Sequence, residues 1–114
     1  MIQETPKNPY KARRGSPEMH IQTECVKWLW NERPQTRKKF YHIENELNAA
    51  GDNAILGAIR RAQGIVKGVA DCALMMKRGN YGALFVEFKT PTGYQSAAQK
   101  EWQSLIEQEG YKYI

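Results

Sequence analysis

The chain has 114 residues, of which 41% are hydrophobic and 25% charged, a balance typical of one soluble globular domain. No apolar run approaches the roughly 20 residues that a membrane-spanning helix needs, and residues 1–16 lack the apolar segment of a secretory signal. These features argue against a helical membrane protein and against secretion. We therefore expect an intracellular, cytoplasmic protein.

Lys and Arg outnumber Asp and Glu by 17 to 12, which gives a formal net charge of +5. The excess is clustered, and such clusters either form a solvated basic face or bind a polyanion such as nucleic acid. If nucleic acid is the partner, the side chains expected to hold its backbone are Lys11, Arg13, Arg14, Arg37, Lys38, Lys39, Arg60, Arg61 and Lys67.

The two cysteines, Cys25 and Cys72, lie in apolar segments, and the sequence contains no C-x-x-C pair. Cysteines used in this way are most simply explained as buried free thiols in a reducing compartment. We therefore expect neither a disulfide nor a zinc site.

In chain order, the first element is an arm followed by a helix. Residues 1–15 contain two prolines and few apolar anchors, so we expect a flexible basic arm. A helix is predicted to begin with Ser16 as its N-cap and Pro17 at its first position, and Pro34 ends it. Glu24 lies at the edge of the apolar stripe of this helix, where it either pairs with a nearby Lys or has a functional role.

The middle of the chain alternates strand and helix patterns. Residues 37–45 combine aromatic and β-branched side chains and are predicted to form a strand. Residues 53–64 are predicted to form a short helix. Two further strands, about 70–76 and 83–89, are joined by a turn rich in Gly and Asn, which indicates a hairpin.

A second clear helix is predicted over residues 95–110, with Ser96 and Gln99 forming a capping box. Residues 111–114 resemble the start of another strand. The order of elements predicts an α/β fold with a central mixed sheet of about four strands flanked by helices, in one domain over residues 16–114. For the aromatic side chains of Trp30 and Tyr94, ordinary packing is favoured over stacking on nucleic-acid bases.

The strand at 83–89 carries two charges in its most hydrophobic segment. Alternate residues of a strand share a face, so Glu87 and Lys89 point to the same side. Burying either charge alone is costly. A structural ion pair between the two side chains is one explanation, and a metal ion bound by Glu87 is the other.

Asp71 favours the metal hypothesis, because a hairpin brings it to the end of the strand pair that carries Glu87 and Lys89. Two carboxylates and a backbone carbonyl, that of Phe88, could hold half the coordination shell of Mg²⁺, which keeps several waters. Lys89 would orient or deprotonate a water that attacks a phosphodiester, and would offset charge on the phosphate. Gln99 is either half of the capping box alone or part of a helix N-terminus that faces the phosphate.

The segments "GIVKGVADCALMM" and "ALFVEFKTPTGYQSAAQKEW" resemble the virus-type replication-repair nuclease (VRR-NUC) domain of the PD-(D/E)xK nuclease superfamily. The resemblance runs from about Glu18 to the C-terminus. It matches Asp71, Glu87 and Lys89 to the core motif, Glu24 to the acidic residue of the first helix, and Gln99 to the Gln of the following helix. The segment "HIENE" resembles the family's segment around an Asn, here Asn45.

The resemblance implies a PD-(D/E)xK-like fold and a Mg²⁺- or Mn²⁺-dependent endonuclease for branched DNA, such as four-way (Holliday) junctions or flaps. Small stand-alone members are typical of phage genomes, act in the host cell, and resemble homodimeric junction resolvases. The chain departs from the pattern at Ala70, where the motif has Pro, and lacks the helix that usually follows the last strand. We expect either a C-terminal truncation or completion of the edge by a dimer partner. The alternative function is a non-catalytic DNA-binding module that retains the nuclease fold.

Overall fold

The computed structural model describes residues 2–3, 16–45 and 54–114. A four-stranded mixed sheet is flanked by helices, as predicted. Its strands are β2 (Phe40–His42), β3 (Cys72–Leu74), β4 (Leu84–Val86) and β6 (Lys112–Tyr113), in the spatial order β2-β3-β4-β6. The pairs β2–β3 and β3–β4 are antiparallel, and β6 runs parallel to β4.

The predicted hairpin is confirmed, but its second strand is interrupted at Glu87. In β3 and β4, Cys72 lies opposite Val86, so the residues that follow in register are Asp71 and Glu87. Beyond Glu87 the chain continues as β5 (Phe88–Lys89), which pairs with a different strand. The change of partner occurs at the residue that the sequence singles out for chemistry.

Strand β1 (Ile2–Gln3) lies parallel to β5, and the Ile2 backbone N–H donates to the Glu87 carbonyl at 3.0 Å. The first residues of the predicted flexible arm therefore form a strand instead. The physical reason is that β5 lies at a strand edge whose backbone groups are otherwise unpaired, so a short extended segment can pair with it. The remainder of the arm lies outside the described residues.

Helix α1 (Pro17–Glu32) begins as predicted, with the Met19 backbone N–H donating to the Ser16 hydroxyl at 3.1 Å. A 3-10 turn at Pro34–Thr36, which the sequence analysis missed, follows the helix. The helix covers one face of the sheet. It encloses an apolar core whose buried members are Ile21, Phe40, Cys72, Val86 and Phe88.

Helix α3 (Ala97–Gln108) lies against the opposite face and carries the predicted capping box. The ring of Phe85 packs edge-on against Trp102, with 5.1 Å between centroids, and against Tyr111 at 5.6 Å. Gly68 adopts φ +92°, and a Cβ there would lie 2.5 Å from the Ala98 carbonyl oxygen. The backbone before β3 therefore meets the first turn of α3 directly.

Helix α2 (Ala54–Ala62) confirms the predicted short helix within two residues at each end. Both cysteines are free thiols, as predicted; Cys72 is buried and Cys25 half-buried. Across the three described ranges, no helix has both the length and the hydropathy to cross a bilayer.

Candidate active site

The two carboxylates predicted to bind a cation meet where β3 begins and β4 ends. Asp71 is half-buried, and its Oδ2 accepts the backbone N–H of Phe88 at 2.8 Å. Its Oδ1 accepts a weaker hydrogen bond, 3.4 Å long, from the Asn45 side-chain amide. The bond to Phe88 holds the Asp71 carboxylate beside the backbone that joins Glu87 to Lys89.

Asn45 and His42 fix the backbone around Asp71. The Asn45 amide also donates to the Val69 carbonyl at 3.0 Å, so it joins the end of β2 to the segment before β3. The His42 Nδ1 lies 2.8 Å from the Asp71 carbonyl oxygen. A carbonyl oxygen only accepts, so Nδ1 carries the proton in this contact. The predicted importance of the segment around Asn45 thus has a geometric basis.

Glu87 is 1% exposed, which makes it the most deeply buried acid of the site. Its Oε2 accepts from the Gln99 side-chain amide at 3.0 Å and lies 3.5 Å from the Lys89 ammonium. Its other oxygen, Oε1, is buried and accepts no hydrogen bond. Burial, the neighbouring Asp71 charge and a hydrogen bond between the Glu87 and Asp71 carboxyl groups raise the pKa of Glu87 to about 8, against the opposing effect of Lys89.

An unpartnered carboxylate oxygen in the interior costs roughly 1–3 kcal/mol or more, and a bound cation would satisfy it. The predicted ion pair between Glu87 and Lys89 exists, but it engages only Oε2. The ion pair therefore leaves Oε1 unsatisfied, and the cation remains a prediction for that oxygen.

The predicted ligands are the Asp71 and Glu87 carboxylates and the backbone carbonyl of Phe88. All three are oxygen donors, which suit Mg²⁺ or Mn²⁺ better than a softer metal. In the described part of the chain, no three His, Cys, Asp or Glu side chains form a metal-binding group. Mg²⁺ does not need one, because it is usually bound through one or two carboxylates and retains water for the remaining positions.

Gln99 forms the predicted capping box and also contacts the buried carboxylate of Glu87. Its Oε1 accepts the Ser96 backbone N–H at 2.8 Å, and the Gln99 backbone N–H donates to the Ser96 hydroxyl at 3.1 Å. Its Nε2 donates to Glu87. The capping box therefore orients the amide that holds the buried carboxylate.

A cavity of about 280 Å³ opens on the side of Asp71 that faces α1. Its polar lining includes Glu18 and Gln22 of α1, together with His42, Glu44, Asn45 and Asp71. Burial raises the pKa of Glu18, while the Lys89 charge lowers it and the Asp71 charge raises it again. Glu18 thus lies within electrostatic reach of both Lys89 and Asp71.

Glu24, the acid of α1 that the sequence analysis singled out, is exposed and is not part of the cavity lining, whereas Glu18 is. Six residues along an α-helix amount to a rotation of about 120° away from Glu18. Glu18 was missed because an acid in the first helical turn is ordinarily explained by the helix dipole. The available signal was the polar stripe of Glu18 and Gln22, which lies apart from the apolar positions of α1.

The predicted DNA-binding side chains differ in their exposure to solvent. Arg37, Lys38, Lys39, Arg61 and Lys67 are exposed, and Arg60 is half-buried. The Arg37 Nε donates to the Trp30 carbonyl at 3.1 Å, so this guanidinium is partly engaged in the fold. Lys11, Arg13 and Arg14 lie outside the described residues.

Comparison with known families matches the VRR-NUC domain model to residues 15–114. Among solved structures, a VRR_NUC domain protein superimposes with a TM-score of 0.72 at 23% sequence identity. The alignment covers 89% of this chain and 77% of that one, and at this identity it shows the fold alone. No curated protein matches the sequence.

Proposed function

We propose, from the premise that this chain belongs to the VRR-NUC family of nuclease domains, that it is a divalent-metal-dependent DNA endonuclease. The proposed substrates are branched DNA structures such as four-way junctions and flaps. One observation carries the proposal: the buried Glu87 Oε1, which has no partner, lies in a site that already contains Asp71 and Lys89.

Asp71 and Glu87 would hold Mg²⁺ or Mn²⁺, with the carbonyl of Phe88 as a third protein ligand. When bound, the cation supplies a water of lowered pKa and neutralises charge on the phosphate. Gln99 and Lys89 both hold the Oε2 of Glu87 in place, and a bound cation would favour the ionised form of this carboxyl group. The Phe88 N–H prevents the Asp71 carboxylate from rotating away.

Lys89 would act on the reacting phosphate and on the attacking water. Its side chain is 9% exposed and its ammonium lies 3.5 Å from Glu87 Oε2, so its position is well defined before DNA binds. A positioned ammonium can orient the water and can offset the negative charge that develops in the transition state, whereas taking a proton from the water requires the neutral amine. Glu18 would hold water or a second cation on the cavity side.

The exposed basic side chains of residues 37–39, 61 and 67 would contact the DNA backbone. Each phosphate contact releases counterions, so we expect affinity to fall steeply as salt is raised. This part of the proposal is separate from the chemistry, and a non-catalytic DNA-binding module would share it.

A homodimer is part of the same proposal. Ile55 and Ile59 of α2 are 74% and 49% exposed, and they lie one helical turn apart on one side of the helix. A second subunit could cover this apolar pair. Light scattering on the purified protein, compared with an Ile55→Glu variant, tests it: a mass near two chains that falls to one on substitution supports the dimer.

The test of the enzymatic proposal is cleavage of a labelled four-way junction and a labelled flap, each with Mg²⁺ and with EDTA. We expect wild type to cut only with Mg²⁺, and Glu87→Gln and Lys89→Met each to lower the rate by about 10²-fold or more. Lys112→Met is the matched control, because Lys112 is exposed and lies over the Tyr81 ring. If wild type shifts the DNA but never cuts it, the binding-module alternative is correct.

A further inference from the structure

The loop between β5 and α3, residues 90–95, starts and ends at the buried carboxylate. It leaves β5 at Lys89, whose ammonium contacts Glu87. It reaches α3 at Ser96, whose backbone N–H binds the same Gln99 amide group that donates to Glu87. Both ends of this loop are therefore anchored beside the proposed cleavage site.

The loop is held on both sides of its tip. The Gly93 backbone N–H donates to the Thr90 carbonyl at 3.0 Å. The Gln95 side-chain amide donates to Gln103 Oε1 at 2.7 Å and to the Tyr113 hydroxyl at 3.0 Å. Between these anchors lies Tyr94, so its backbone position is determined by the fold.

Tyr94 is 85% exposed, more than any other large hydrophobic side chain of the described residues. The expectation that it packs internally is therefore wrong. A single exposed aromatic side chain is unremarkable on its own. Here it lies on an anchored loop, and at most about 3.6 Å of chain per residue separates it from Ser96. The ring is thus within a few nucleotide steps of Glu87, since each step spans roughly 3.4 Å.

Two exposed lysines lie on elements that adjoin this loop or helix α3. Lys100 is exposed in the first turn of α3, and its backbone N–H donates to the Ser96 carbonyl. Lys67 is exposed and lines a pocket together with Ala98 and Glu101 of α3. Aromatic rings flanked by cations bind single-stranded nucleic acid by stacking on bases and attracting phosphates. A base paired within a continuous duplex does not offer its face for such stacking.

We propose that Tyr94 stacks on an unpaired nucleobase next to the scissile phosphate, which makes DNA with unpaired nucleotides beside a duplex the preferred substrate class. The proposal rests on the proposed nuclease function. It deepens that function by naming the side chain that distinguishes flaps and forks from continuous duplex.

The test compares Tyr94→Ala, Tyr94→Phe and Tyr94→Trp with wild type in EDTA, where no cleavage occurs. The probes are a flap with 2-aminopurine at the first unpaired position and a continuous duplex of the same length. We expect wild type, Phe and Trp variants to quench the fluorescence. Tyr94→Ala should lose the quenching and bind the flap roughly tenfold more weakly, with duplex affinity unchanged.

Tyr81→Ala is the control. Tyr81 is 46% exposed and lies in the β3–β4 turn, at the end of the hairpin away from Glu87. Equal flap binding and quenching by wild type and Tyr94→Ala would overturn the inference, as would equal losses in flap and duplex binding. Cleavage with Mg²⁺ is scored separately: if wild type cuts nothing, the nuclease proposal fails, whereas the quenching and the affinity ratio still decide the role of Tyr94.

Discussion

The segment of residues 84–89, here called the ribbon, has one apolar face and one polar face. Leu84, Val86 and Phe88 point towards α1, and Val86 and Phe88 belong to the buried apolar core. Phe85, Glu87 and Lys89 point to the other face, where Gln99 of α3 contacts Glu87. One face is lined by apolar side chains of the core, while the other contains a buried carboxylate oxygen with no partner.

The contrast shows how a domain of this size supports a costly site. The apolar face stabilises the ribbon through burial of about 25 cal/mol per Å². The polar face weakens the fold, because desolvation of an ionised carboxylate opposes folding. The site is rigid because the same backbone is fixed by the apolar side chains on its other face.

The largest expected change comes from the apolar face. Phe88 is fully buried, so Phe88→Ala should lower the free energy of unfolding by about 3–5 kcal/mol, measured by urea denaturation. Phe88→Leu is the control and should lose much less. If both variants lose the same amount, the core on the α1 side is not what holds the ribbon.

The contact between the segment before β3 and the first turn of α3 is tested by substitutions at two glycines. Gly68 and Gly64 both have positive φ, but only Gly68 lies against the Ala98 backbone. Gly64→Ala should cost about 1 kcal/mol for the backbone strain alone. Gly68→Ala should cost roughly 1–3 kcal/mol more, because the Ala98 backbone must shift. Equal thermal melting temperatures for the two variants would show that α3 is not held at this point.

Two of the three acids of α1, Glu18 and Glu24, differ in whether they line the cavity. Glu18→Gln should lower the rate of Mg²⁺-dependent cleavage by about tenfold, because Glu18 lines the cavity beside Asp71. Glu24→Gln should leave the rate unchanged, because Glu24 is exposed away from the cavity. Loss of cleavage in the Glu24 variant alone would reverse the assignment.

The polar face predicts a variant that is more stable than wild type. The pKa of Glu87 is raised from 4.5 to about 8, so its contribution to stability is fully present below pH 4.5 and is lost as the pH rises through about 8. In EDTA at pH 8, Glu87→Gln should therefore exceed wild type by at least about 1 kcal/mol, or roughly 4–8 °C in melting temperature. At pH 4.5 the two proteins should melt alike.

Much of the fold could be predicted from local signals. The caps at Ser16 and Ser96 and the turn between β3 and β4 are short-range features, and all three are confirmed. The capping box in particular is encoded in four consecutive residues. The pairing of Ile2–Gln3 with β5 could not be predicted, because two residues carry no periodic pattern and their partner lies more than eighty positions away.

The candidate site divides in the same way. Asp71, Glu87 and Lys89 could be found because charges in an apolar strand are conspicuous and because a hairpin fixes their register. The sequence could not show whether Glu18 or Glu24 lies near Asp71, because this depends on which face of α1 turns towards Asp71. That orientation is set by the packing of Ile21 into the core, which is a tertiary effect.

The proposed nuclease chemistry depends on a cation site between Asp71 and Glu87. Binding of Mn²⁺ at this position tests that site directly. Crystals soaked in Mn²⁺ should show one anomalous peak within coordination distance of both carboxylates, and Glu87→Gln crystals of the same fold should lack it. A wild-type crystal with no peak there, or a Glu87→Gln crystal that retains it, would contradict the account.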